Sequence, residues 1–268
     1  MGRQNDSKLN RLQDVPEGLV VNSRQLEAAG YSRQLVAKYA AAGWLQKLER
    51  GAYRRPGPPL KWEHVAYSLQ QMKLPFHAGG ETALGLMGRA HQLPASGHQV
   101  VHLYGAAALP GWVAAAVPKV KFVQHAEELF DEPPPFWVQP HGNTWIRGWE
   151  LYPWGPWEWI LHVSSQERAW LECLQDVPAK TGFDEADELA SGLRSLRPKL
   201  MEALLKSCNS FKVRRLALWL GERHHHIWAT KLGPGIIDLG KGKRSLVSGG
   251  RLIKRYGITV PKHLAENV

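Results

Sequence analysis

Five side chains between Arg33 and Ala41 are of the types that read duplex DNA: Arg33, Gln34, Ala37, Lys38 and Ala41. Gln34 can pair bidentately with adenine, and Arg33 or Lys38 can take guanine or a phosphate. The two alanines keep the surface low enough to enter a major groove, where a methyl can touch thymine. At about 100° per residue the five fall in one sector of a helix, with Leu35, Val36 and Tyr39 on the other side. The spacing predicts an amphipathic helix with a polar face outward and an apolar face on a core.

The flanking sequence supplies elements to hold that helix. Ser32, after Gly30-Tyr31, can cap its first turn and joins the candidate interface. Gly43 stands where a left-handed residue would end it. A shorter helix is predicted over residues 23–29. A hairpin is predicted after Gly43, with Trp44, Leu45 and Leu48, the turn Glu49-Arg50-Gly51, and then Ala52-Tyr53. Arg50, Arg54 and Arg55 would sit on or beside this wing, within reach of phosphate. An earlier helix over 7–14, carrying Leu9 and Leu12 with Val15 next, completes a winged helix-turn-helix. A basic helix face alone is usually a solvated surface; three elements in this order point to DNA binding.

Charge is divided unevenly along the 268 residues. The balance is +5 over 1–60, −6 over 61–196 and +11 over 197–268, which sums to the net +10. Two basic ends around an acidic middle suggest polyanion contact at both ends. The C-terminal share comes from Lys212, Arg214 and Arg215 on one predicted helix, then Lys241, Lys243, Arg244, Arg251, Lys254 and Arg255 in turns and short elements. Such a surface can hold DNA, RNA or an acidic protein partner, or remain solvated.

Pro56-Gly57-Pro58-Pro59 is the clearest linker. Residues 1–60 therefore read as the DNA-binding domain and 61–268 as a larger mixed region, with a sub-boundary near 164–196. Helices are expected over 61–73, from Gly79 to Gly88, after a capping box formed by Ser164 and Glu167, over 184–206 with a break at Arg197-Pro198, and over 211–223. Strand-like runs lie at 100–104, 120–123, 144–151, 157–163, 227–232, 236–239 and 258–260. This order argues an α+β fold: a winged helix-turn-helix followed by a mixed α/β C-terminal region. Trp137, Trp145, Trp149, Trp154, Trp157, Trp159 and Trp170 crowd one stretch. Aromatic clusters can stack bases, but a core with each N–H bonded is the preferred reading.

No run of apolar residues is long enough to span a bilayer, and Met1 to Asp6 lack a signal-peptide core, so a cytoplasmic protein is expected. Cys173 and Cys208, far apart and outside any CxxC spacing, read as reduced buried thiols. Catalytic motifs fall short in turn. Gly235 to Gly242 meets the spacing of a phosphate loop, but Gly242 stands where Ser or Thr would hold magnesium, so a β-turn is preferred. His224-His225-His226 are consecutive rather than spaced to ligate metal from one helix face. The acidic run from Asp184 to Glu188 suits a helix start. Asp6-Ser7-Lys8 has a nuclease-like triplet in helical rather than strand context. No catalytic residue, metal site, cofactor or membrane partner is expected. A nucleic-acid enzyme delivered by the helix-turn-helix and a pure interaction module are the competing readings.

Several phrases resemble AbiEi-type antitoxins, the regulators of type IV toxin–antitoxin systems. They are Gly43-Trp44-Leu45 with Arg50 to Arg55, Gly79 to Leu84 with Gly88, Ala90 and His91, and Leu109-Pro110-Gly111-Trp112. Ser165 with Glu167-Arg168-Ala169, Lys212 to Leu216 and Tyr256 to Pro261 continue the likeness over most of the chain. The resemblance implies a transcriptional autorepressor that binds the double-stranded operator of its own operon. It also implies a C-terminal part that opposes a cognate nucleotidyltransferase-type toxin without requiring a stable complex. It carries DNA contact to the wing and recognition-helix residues above and supplies no catalytic residue.

Overall fold

The computed structural model describes residues 12–13, 15–88, 99–125, 129–130, 148–156, 158–233 and 235–265. The expected helix over 7–14 lies outside them but for Leu12 and Gln13, as do Trp137, Trp145 and Trp157. The chain divides into two compact units. One comprises 1–77, 94–124 and 152–161; the other comprises 78–93, 125–151 and 162–268.

The first unit opens with strand β1 (Val20–Asn22), helix α1 (Ser23–Ala28), helix α2 (Arg33–Ala41) and strands β2 (Gln46–Glu49) and β3 (Ala52–Arg54). Asn22 ends β1 and caps α1: its side chain accepts from the Gln25 N–H, while the Gln25 side chain accepts from the Asn22 N–H, both at 2.9 Å. This reciprocal box satisfies two donors that a helix start leaves unpaired. Leu12, Val21, Leu26, Tyr31, Val36, Tyr39 and Leu45 form the core beneath, and Tyr31 meets Tyr39 edge-on at 6.3 Å. The hairpin predicted from sequence is present, with β1 added as a third strand in the order β1-β3-β2.

Helix α3 (Trp62–Gln71) belongs to this unit too. Ser68 Oγ accepts from the Val20 N–H at 2.9 Å. Gly18, at φ +86°, lies so close to the His64 ring that a Cβ would come within 2.2 Å. Residues 56–59 are bend and irregular chain, and the first compact unit includes residues up to 77. It also takes in strand β5 (Gln99–Tyr104), helix α5 (Trp112–Ala116) and most of strand β6 (Val120–His125). Trp159 stacks on Tyr67 at 4.2 Å.

The second unit holds α4 (Gly80–Leu86), α6 (Gln166–Asp176), α7 (Phe183–Gly192), α8 (Pro198–Ser207), α9 (Phe211–Arg223) and α10 (Ile227–Lys231). Their apolar faces close one core that includes Leu84, Trp170, Leu174, Leu205, Leu216, Trp219 and Trp228. Pro198 takes the first helical position of α8, where its missing N–H costs nothing. A small sheet, β9 (Arg244–Ser245), β10 (Arg251–Ile253) and β11 (Ile258–Val260), runs in the order β10-β11-β9. A five-stranded sheet has the order β6-β5-β4-β8-β7, where β4 is His77–Ala78, β7 is Trp149–Trp154 and β8 is Trp159–Ser164. Trp149, Trp159 and Trp170 are buried and Trp154 half-buried, but among the described residues the Trp170 indole N–H has no hydrogen-bond partner, against the expectation that each N–H is bonded.

Three local expectations are corrected. Residues 227–231 are helix α10 rather than strand, and 236–239 are turn and irregular chain. Ser165 caps α6, accepting from the Arg168 N–H at 3.3 Å, whereas the Ser164 hydroxyl is turned to the buried Glu172 carboxylate.

Candidate nucleic-acid interface

Helix α2 forms where its sequence signals place it. Ser32 Oγ accepts from the Leu35 N–H at 3.3 Å, and Gly43 follows the helix at φ +78°. Val36 and Tyr39 are buried, while Ser32, Arg33, Gln34, Ala37, Lys38 and Ala41 are all exposed. Among the described residues neither Gln34 nor Lys38 is tied by a side-chain hydrogen bond or ion pair. Arg33 makes an exposed ion pair with Glu27 at 2.7 Å. Such a pair is worth little in water and yields readily to a phosphate.

The wing divides its arginines. Arg50 is exposed at the tip, beside Gly51 at φ +80°. Trp44, at the entry to the hairpin, is also exposed. Arg54 is not on the wing surface. It is 8% exposed, and its guanidinium donates to Gln46 Oε1 at 2.8 Å and to the carbonyls of Pro58 and Gly57 at 2.8 and 3.4 Å. Burial lowers its pKa from the usual arginine value. It therefore fastens the turn after the wing rather than facing solvent. Arg55 is half-buried and donates to the carbonyls of Gln13 and Val15.

The C-terminal basic set is similarly split. Arg215 is 2% exposed and its guanidinium donates to the carbonyls of Leu239, Gly240, Lys241, Gly242 and Gly257. Arg214 donates to Cys208, Lys206 and Asp238 carbonyls, and Lys212 to those of Gln175 and Val177. These three are internal ties and are corrected out of the surface set. Arg255 is exposed but paired with Glu222. Lys241, Lys243, Arg244, Arg251 and Lys254 remain exposed.

Family models match nearly the whole chain. One described as the AbiEi antitoxin N-terminal domain of a transcriptional regulator matches residues 5–95. Another, described as transcriptional regulator, AbiEi antitoxin, type IV TA system, matches 98–261. The chain belongs to the AbiEi family. Among solved structures it is similar to the RV2827C protein from Mycobacterium tuberculosis, at 15% identity, TM-score 0.52, and coverage of 92% of this chain and 87% of that one. At that identity the likeness concerns the fold. A comparison with curated proteins found no match. As an AbiEi member the chain is a transcriptional regulator and antitoxin of the type IV class.

The near-catalytic motifs of this AbiEi chain have structural uses. In the loop at 239–242, carbonyl oxygens converge on Arg215, whereas a phosphate cradle presents N–H groups. His224 Nε2 and Arg223 Nε both meet Asp187 Oδ1 at 2.8 Å. His226 Nδ1 accepts from the Trp228 indole at 3.2 Å. Among the described residues no group of three His, Cys, Asp or Glu side chains could hold a metal. Both cysteines are free and buried; burial raises the thiol pKa of each, that of Cys208 to about 11. No helix among the described residues is long and apolar enough to cross a membrane.

Proposed function

We propose that α2 docks in the major groove of the operator of its own operon, with Gln34 and Lys38 reading base edges and Arg33 and Arg50 holding phosphates. Transcription of that operon is thereby repressed. The remainder of the chain opposes a cognate nucleotidyltransferase-type toxin, and the protein works in the cytoplasm beside both targets. The observation that carries this reading is the exposure of Ser32, Arg33, Gln34, Ala37, Lys38 and Ala41 over a helix whose other face is buried. The five exposed C-terminal cations add phosphate contacts in the same reading, and neutralising them lowers the salt dependence of binding.

The test is operator affinity of the full chain, measured by fluorescence anisotropy on a fragment from its own promoter. Gln34→Glu with Lys38→Glu should weaken binding by about 100-fold, since each good base contact is worth about 1–3 kcal/mol. The melting temperature should not move. Unchanged affinity in that double variant sinks the reading. Co-expression of the same variant with the neighbouring toxin gene separates the two activities, because growth should still be rescued.

A further inference from the structure

We infer that Trp44, where the chain leaves α2 for the wing, is a further operator contact, its indole ring packing on deoxyribose of the strand that walls the groove. This inference rests on the operator reading above.

A single exposed apolar side chain is ordinary on a protein surface; Trp44 differs in its setting. Helix α2 ends in a Schellman turn. The Gly43 N–H donates to the Ala40 carbonyl at 3.2 Å and the Trp44 N–H to the Tyr39 carbonyl at 2.9 Å, with Gly43 at φ +78°. In such a turn the residue at the place of Trp44 commonly packs back on the last turn of the helix. Here Leu45 joins Tyr39 in the core instead, and its N–H also donates to the Tyr39 carbonyl, at 3.2 Å. The backbone at Trp44 is thus held, while its side chain stays 47% exposed. Among the described residues that side chain has no hydrogen-bond or ring partner.

The surroundings select the ligand. Lys38, Lys47 and Arg50 are exposed, and Glu49 is the one acidic residue between positions 33 and 50. A ring among cations suits a partner that offers anionic and apolar surface together. A sugar–phosphate strand does so, with phosphates for the cations and deoxyribose carbons for the ring. The major groove is about 12 Å wide and a helix with its side chains about 10–12 Å across, so chain leaving α2 passes close to a groove wall. Arg33 and Gln34 lie in the first turn of α2, the end that meets base edges in such modules. Trp44 follows the opposite end, which leads out. The ring is uncharged, so its contact adds affinity without adding to counterion release.

Hydroxyl-radical footprinting of the full chain on its promoter fragment reads the access to each deoxyribose. Wild type should protect sugars of the strand beside the major-groove contact. Trp44→Ala, at saturating protein, should lose protection over a short run of those sugars and keep the rest. Its affinity should fall by about tenfold, the order expected from covering the part of the ring left exposed in the free protein. The salt slope and the melting temperature should not change. Trp44→Phe should keep the protection, and Trp44→Gln serves if the alanine variant does not fold. A folded ring-less variant with the wild-type footprint and affinity overturns the contact alone. Loss of protection over the whole operator together with earlier melting also overturns it, because the ring would then be structural. A wild-type chain without operator affinity overturns the operator reading and the contact with it.

Discussion

Helices α2 and α9 both carry a row of basic and polar side chains, yet they use it in opposite ways. On α2 the row faces water, with Val36 and Tyr39 beneath it. On α9 the row of Lys212, Arg214 and Arg215 is turned onto backbone carbonyls of the same unit. The cause lies in what each helix packs against. The chain beside α9 turns through Gly240, Gly242 and Gly257, all at positive φ, and points their carbonyls at Arg215; that of Gly257 also accepts from the Arg244 N–H at 2.8 Å. A planar guanidinium with five donors suits that set. No comparable group of carbonyls is described against the α2 face. Charge read from sequence locates cations; only the neighbouring backbone decides whether they are available.

The comparison is broken most directly at its deepest residue. Arg215→Met should remove the shared donor of several part-buried carbonyls and destabilise the protein by about 2 kcal/mol, seen as a fall of several degrees in melting temperature. Arg215→Lys should recover little, because an ammonium cannot reproduce the fork. An Arg215→Met chain that melts normally but loses operator affinity would reverse the assignment of that helix. The complementary variant is Lys38→Ala, which should leave stability within about 0.5 kcal/mol. It should weaken operator binding by about tenfold, the value of one base-edge contact of about 1–3 kcal/mol. Arg54→Ala sharpens the contrast inside the wing, and it should lower melting temperature while leaving the salt slope of the folded protein intact.

Much of this was legible beforehand. The bounds of α2 followed from the spacing of Val36 and Tyr39, a serine cap and a terminal glycine, all local signals. The hairpin followed from its turn. The burial of Arg54 was missed: it was expected within reach of phosphate, yet period-two alternation sets it on the same side of β3 as Ala52, which the structure shows buried. Strand β1 was missed because three residues, Val20 to Asn22, are too few to show alternation. Adjacent Ser164 and Ser165 are equally good caps in sequence, and the choice was made by Glu172, which draws Ser164 inward. Residues 227–231 have strand-forming Ile227 and Trp228, but burial of Trp228 and Ala229 against the helical core settles them as helix. Arg55 and Arg215 share that origin, since the carbonyls they collect come from segments 24 to 42 residues away, whereas those held by Arg54 lie three and four residues on.

The smallest effect expected separates cations by what they hold. In the second unit Arg197 grips the buried Glu167 carboxylate through its own N–H at 2.8 Å and its guanidinium at 3.0 and 2.8 Å. Burial pushes the Glu167 pKa up, but these bonds outweigh it and hold the carboxyl below its ordinary value. A carboxylate depressed in the folded state contributes stability that is complete above the unfolded pKa of about 4.3 and is lost as pH falls through the lower folded value. Carbonyls do not titrate, so Arg215 should add no such dependence. Glu167→Gln should therefore flatten the acid limb of stability against pH, while Arg215→Met lowers the whole curve without changing the shape of that limb. Chemical denaturation of both variants from neutral pH into acid measures this. An acid limb that keeps its wild-type steepness in Glu167→Gln would mean that the Arg197 contact does not govern that carboxyl.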